Sequence, residues 1–217
     1  MKRRLNILCL LVVLVLGYSV FDALYQFSEG FFTGIKIATS SHDKNQILSN
    51  PAMNMKMLAL VPDDFATFSD SVYNEKTKTY VPALYDQLIV SVKTKPNLWE
   101  MLGSGLAGLF ELIFAIISVV FFVKLIISIN KSDIFNWKNV RRLRFLGGAL
   151  ILSFFCSVIS ICITNSELSE ALSIPGYSLH LSELLSVLTL VLGIVSLLVG
   201  EVFAIGLRLQ EEQDLTI

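Results

Sequence analysis

The sequence predicts a membrane protein, mainly α, in which four transmembrane helices form a bundle. A small mixed α/β extracytoplasmic domain is expected between the first and second helices. Three observations carry this. Of 217 residues, 54% are hydrophobic and only 16% charged, against roughly 25% charged in an ordinary soluble chain. The apolar residues come in long blocks, as about 30 Å of hydrocarbon requires of a spanning helix. The basic residues are also distributed unevenly between the connecting segments, which orients the spans.

The first block, Leu5 to Tyr25, follows Lys2, Arg3 and Arg4. A secretory leader would place small residues after the apolar core, but Tyr18, Phe21, Leu24 and Tyr25 stand there, and Leu8 before Cys9 does not suit a lipoprotein leader. Residues 1–25 are therefore read as a cytoplasmic amino terminus and a retained first helix. Residues 26–98 change character: seven lysines balance seven acids, and Pro51, Pro62, Pro82 and Pro96 interrupt short apolar runs. This segment reads as the extracytoplasmic cap. Its strand candidates are Met57–Val61 and Gln87–Val92, with turns at Asn50-Pro51 and Val61-Pro62-Asp63-Asp64. About 70 residues without disulfides make a marginal core.

The second helix is expected over 99–129, with Trp99 as an interfacial anchor. A basic loop, 130–144, holds Lys131, Lys138, Arg141, Arg142 and Arg144 against Asp133 alone. The third helix is read over 145–163, a short acidic external loop without Lys or Arg over 164–183, the fourth helix over 184–207 and a tail over 208–217. The positive-inside rule makes the basic loop cytoplasmic and the acidic loop external, so both termini are cytoplasmic.

No constellation supports an enzyme or a cofactor. Gly103-Ser104-Gly105-Leu106-Ala107-Gly108 matches a dinucleotide-binding spacing, but it opens an apolar span and follows no strand. Small residues four apart in that segment, with Gly147, Gly148, Gly193, Ser196 and Gly200, instead suit close helix packing, including packing against a second copy. Cys9, Cys156 and Cys162 lie in apolar blocks and read as packing residues. His180 and Glu183, near Glu167 and Glu170, read as a polar helix start rather than a cation site. His42 has no neighbours that suggest a site, and Thr39-Ser40-Ser41 lacks a base. Net charge is −1, which gives no reason to expect direct nucleic-acid binding.

Among ionisable residues in the apolar blocks, Asp22 and Glu201 lie near span ends and Lys124 can reach an interface. Glu111 lies well inside and is the candidate intramembrane polar site, either bonded to a serine such as Ser153 or Ser157 or serving a proton or cation path. Candidate contacts for a cytosolic partner are Arg141, Arg142 and Arg144 in the loop and Glu211, Glu212, Asp214 and Leu215 in the tail. The basic side chains also suit anionic lipid heads, and the acidic tail could instead fold back on the basic loop.

The stretch Ile134-Phe135-Asn136-Trp137-Lys138-Asn139-Val140-Arg141-Arg142-Leu143-Arg144 leads into a glycine-bearing span. Glu201-Val202-Phe203, Gly206 and Leu209 then precede the terminal Gln210-Glu211-Glu212-Gln213-Asp214-Leu215-Thr216-Ile217. Together these resemble a bacterial four-span membrane family known only as a domain of unknown function, although Ile134 stands where that family usually has proline. The resemblance implies a bacterial cytoplasmic (inner) membrane protein, often encoded beside a small helix-turn-helix regulator, and no reaction. The functional expectation is a non-enzymatic sensor or tether between the cap and a cytosolic regulator, with a transcriptional regulator as the candidate. The alternatives are a small transporter or channel subunit using Glu111, and a structural accessory subunit of a membrane complex.

Overall fold

The computed structural model describes residues 2–40, 55–66, 68, 70–92, 97–131, 134–180 and 184–214. The elements in chain order are α1 (Lys2–Ser40), β1 (Met55–Pro62), β2 (Asp70–Asn74), β3 (Thr79–Ala83) and β4 (Gln87–Ser91). They are followed by α2 (Leu98–Asn130), α3 (Trp137–Ala171), β5 (Tyr177–Leu179) and α4 (Val187–Asp214). Three described helices, α2, α3 and α4, are long and apolar enough to cross a membrane, with mean hydropathy of 2.9, 2.4 and 2.4 in their most apolar windows. This is one fewer than the four spans expected from sequence. Only 22–28% of each window is buried within the chain, so most of these apolar side chains need a solvent other than water. At 1.5 Å per residue the 33 residues of α2 reach about 50 Å, well beyond the hydrocarbon thickness.

Every helix is longer than its apolar block. The first continues past Tyr25, where apolarity declines, to Ser40. No proline occurs between these points, and the hydroxyls of Ser28 and Thr39 bond back to the carbonyls of Tyr25 and Ile35 at 2.7 and 2.8 Å, a common way for a helix to carry small polar residues. The third starts eight residues before the expected Phe145 because Asn136 caps it: its Oδ1 accepts the Asn139 N–H at 2.7 Å, the bond an N-cap supplies to an otherwise unpaired donor. Lys138, Arg141, Arg142 and Arg144 are thus helical residues, not loop residues. At the start of α2 the Asn97 N–H donates to Glu100 Oε2 at 2.8 Å, the returning half of a capping box.

The chain divides into two compact units. One comprises residues 1–33, 106–158 and 186–217, and the other residues 34–105 and 159–185. In the first unit, α3 and α4 approach closely through small residues. A Cβ on Gly147 would meet the Gly193 carbonyl oxygen at 2.7 Å, and one on Gly193 would meet Ile151 Cγ1 at 2.8 Å. Ser196 donates to the Leu143 carbonyl at 3.0 Å, and Gly200 faces Leu143 Cβ. Gly193, Ser196, Gly200, Ala204 and Leu207 form the buried stripe of α4, at the spacing of one helix face. Gly148 meets nothing within 4 Å, nor does Gly108, so only part of the expected small-residue set makes these contacts within the chain.

In the second unit, β1 is the centre of an antiparallel sheet of order β4-β1-β5. Met57 pairs with Ile89 and Leu60 with Leu179. Leu58, Leu60, Leu168 and Tyr177 form the core. Burial of a leucine side chain contributes about 1.5–3 kcal/mol, so these few residues are the main apolar support of the sheet. The expected strands at Met57–Val61 and Gln87–Val92 are therefore present and pair with each other. Two features were not expected. The β2–β3 hairpin closes through residues 75–78, with Lys78 at φ 52°, and Asn74 Oδ1 accepts the Lys76 N–H. In the segment read as an acidic loop, α3 continues to Ala171 and β5 then joins β1, entered through Pro175-Gly176 with Gly176 at φ 77°. The expected turn at Asn50-Pro51 lies outside the described residues.

Candidate functional site

The family-like segments of the sequence meet where α3 begins and α4 ends. Asn136 starts α3 and sets the phase of its first two turns, placing Trp137, Val140 and Arg144 toward α4. Val140, Ala204 and Leu207 form a buried cluster against which Trp137 and Phe203 pack. The rings of Phe135 and Phe203 lie 5.1 Å apart, within the range of favourable aromatic pairs. Trp137 Nε1 donates to Glu211 Oε1 at 2.7 Å. Arg144 makes a two-bond fork to Glu201, Nε to Oε1 at 2.8 Å and Nη2 to Oε2 at 3.0 Å. Of the acidic end of α4, Glu211 thus meets Trp137, whereas the acid paired with Arg144 is Glu201, earlier on the same helix.

At the centre is Asn139, fully buried. Its Nδ2 donates to the Ile134 carbonyl at 2.9 Å and its Oδ1 accepts from Arg142 Nη1 at 2.8 Å. The same Nη1 donates to the Lys124 carbonyl of α2 at 3.2 Å. A buried amide carries a large cost if unpaired, and here each end of the amide has a partner. Asn139 therefore ties the approach to α3, its second turn and α2 together.

The nominated residues fall into different positions. Arg142, Arg144 and Glu211 are engaged as described. Arg141 and Asp214 are exposed, and Glu212 is exposed on the last turns of α4; Leu215 lies outside the described residues. Glu201, which the sequence places near a span end, has its charge met by Arg144. Glu111 is half-buried on α2 and makes no ion pair among the described residues; neither Ser153 nor Ser157 is brought to it as a hydrogen-bond partner. Lys124 lies 5.5 Å from the centre of the Phe121 ring, and that ring stacks on Phe145 at 5.1 Å. Sequence reasoning assigned roles to the arginines and missed Trp137 and Asn139. The Asn136–Asn139 spacing before an apolar run was the available capping signal.

The second unit holds a pocket of about 290 Å³, lined on α3 by Ser160, Thr164 and Asn165 and on the strand side by Met57, Ala59 and His180. Glu167 is bound to Lys56 rather than to a cation position, and no cluster of three potential metal ligands occurs among the described residues. Asp70 accepts the Tyr177 hydroxyl at 2.9 Å, so that acid serves the sheet.

A family model described as a protein of unknown function, DUF2975, matches residues 65–217. The chain belongs to this family. The DUF2975 match takes in the hairpin, β4, β5 and the three long apolar helices, and it includes every junction residue named above; α1 and β1 precede it. Neither the curated proteins nor the solved structures yield a match. The chain is thus a mainly helical DUF2975 membrane protein with a small sheet region.

Proposed function

We propose that this protein is a non-enzymatic membrane sensor or tether whose output is the junction between the start of α3 and the end of α4. The carrying observation is that the polar contacts between α3 and α4 at this junction, Trp137–Glu211 and Arg144–Glu201, lie at or near the surface. Arg144 and Glu201 are 44% and 58% exposed, and an exposed ion pair contributes at most about 1 kcal/mol. Such contacts can be exchanged for those of another protein at small cost, unlike the Val140–Ala204–Leu207 cluster beneath them.

In this reading α1 is a fourth span. Its apolar stretch after Lys2, Arg3 and Arg4 is of spanning length, and Ile7, Leu10, Leu14, Tyr18 and Phe21 are exposed along it. Charge bias then sets both termini and the α2–α3 connection in the cytoplasm of a bacterial cell and the sheet outside. The input is a ligand of the sheet unit, for which the His180 pocket is the candidate. The partner is a cytosolic regulator of transcription that competes with α3 for the acidic end of α4.

The test is co-purification of the full-length protein from its native membrane, in three forms: intact, lacking Glu211–Ile217, and carrying Trp137→Phe with Glu211→Gln. The expected result is a stoichiometric cytosolic DNA-binding protein that is lost with the truncation. The double substitution should change its yield severalfold by freeing the end of α4. Equal recovery from all three forms, or no cytosolic protein with any, rejects the proposal.

A further inference from the structure

The pocket of about 290 Å³ in the second unit is built from two sides. On α3, Ser160 and Thr164 stand one turn apart and Asn165 follows Thr164, so within two turns the helix offers two hydroxyls and an amide. On the sheet side, His180 follows β5 and is held by its backbone N–H, which donates to the Ala59 carbonyl of β1 at 3.1 Å. The side chains of these four residues make no hydrogen bond among the described residues. The Ser160 and Thr164 hydroxyls do not turn back to carbonyls of their own helix, as those of Ser118 and Ser169 do at 2.7 and 2.9 Å, although that is a common resource of helical serine and threonine. Four polar groups are therefore available to a molecule in the pocket.

The lining defines the chemistry of that molecule in charge, polarity and size. No Lys, Arg, Asp or Glu lines the pocket. The charges next to it in sequence, Lys56 before Met57 and Glu167 before Leu168, are bound to each other, and the Glu167 side chain is only 7% exposed. A charged ligand would lose water without gaining a counter-ion, which is costly. Seven of the eleven lining residues are apolar, Ile161, Leu168, Leu179 and Leu184 among them. Such walls leave most hydroxyls of a polyol unmatched, whereas an aliphatic chain gains from the same burial. At about 30 Å³ per water the volume corresponds to roughly ten water molecules, and so to a ligand of about ten non-hydrogen atoms. Asn165 carries a donor and an acceptor, and an amide on the ligand answers both, while hydroxyls and a neutral imidazole can each serve as donor or acceptor for what remains.

We propose that this pocket binds an uncharged acyl amide with a short aliphatic chain, its amide among Ser160, Thr164, Asn165 and His180 and its chain against Ile161, Leu179 and Leu184. This names the ligand class of the input site and rests on reading the pocket as that input. Binding is measured on the purified protein without a cytosolic partner, so failure to find a partner leaves the ligand class standing, and failure to bind leaves the junction as a tether.

The test uses the full-length protein in mild detergent with three probes of one chain length, hexanamide, hexanoate and hexylammonium, and with glucose as the polyol. Ligand-observed NMR titration gives the affinity for each. Hexanamide should bind at one saturable site at least tenfold more tightly than any of the other three. Thr164→Val and Asn165→Leu keep the side-chain shape and remove hydrogen-bonding groups, and each should weaken hexanamide binding about fivefold, the loss of one hydrogen bond. Partition of the probe into detergent is common to all forms of the protein, so the difference between them reports the pocket. Equal or tighter binding of hexanoate, hexylammonium or glucose by the unaltered protein overturns the proposal, as does the absence of saturable hexanamide binding. Undiminished hexanamide binding by both variants overturns it as well, because the amide is then held elsewhere.

Discussion

Gly147→Ala and Gly148→Ala should have different effects although the residues are adjacent. The first places a methyl group 2.7 Å from a backbone oxygen of α4, which cannot move away as a side chain can, whereas the second points into open space. Forced overpacking costs about 1–3 kcal/mol, so Gly147→Ala should lower the thermal midpoint of the detergent-solubilised protein by several degrees. Gly148→Ala should leave it unchanged or raise it slightly, because alanine favours the helix by about 1 kcal/mol. The glycine-bearing faces were legible in the sequence, but the difference between these two was not. Residue spacing identifies a face that permits close approach, while the crossing point of two helices decides which glycine needs it. The junction shows the same limit. Arg144 and Glu211 were legible as charges, whereas their partners, Glu201 and Trp137, depend on the register between α3 and α4, the paired residues being 57 and 74 apart in sequence.

At the scale of elements, strand legibility followed burial. Both β1 and β4 were readable because apolar and β-branched residues concentrate in them, and Leu58, Ala59 and Leu60 are buried in succession. The β2–β3 hairpin is exposed along most of both strands, so its sequence carries no strong alternation, and Pro82 argues against a central strand without excluding an edge. β5 has three residues, too few for a period. Helix ends were misjudged because a spanning window detects the apolar stretch, while backbone hydrogen bonding continues beyond it into segments such as Gln26–Ser40. The sheet unit has a small core, and Leu60→Ala should remove about 2–5 kcal/mol from it. Amide exchange in β1, β4 and β5 should rise by orders of magnitude, while protection in the α3–α4 contact around Gly147 and Gly193 stays unchanged. Equal loss of protection in both places would mean that the two units unfold as one.

For the whole molecule, sequence and structure agree on a helical membrane protein with a small sheet, and the family match agrees with the resemblance carried by the α3 start and the α4 end. They differ on the number of spans. The three long apolar helices alone leave the chain with its ends on opposite sides of the membrane, whereas a crossing by α1 brings both ends to the side of the α2–α3 connection. The sensor proposal needs the second arrangement, with the sheet unit on one side and the junction on the other. The direct test is labelling of intact cells by a membrane-impermeant maleimide, using single cysteines at Lys2, Lys76, Lys131, Ser173 or Gln213 in a background lacking Cys9, Cys156 and Cys162. Positions 76 and 173 should react in intact cells, and 2, 131 and 213 only after permeabilisation. Reaction of position 2 from outside would reduce the protein to three crossings, and reaction of 131 or 213 from outside would place the junction where no cytosolic partner can reach it.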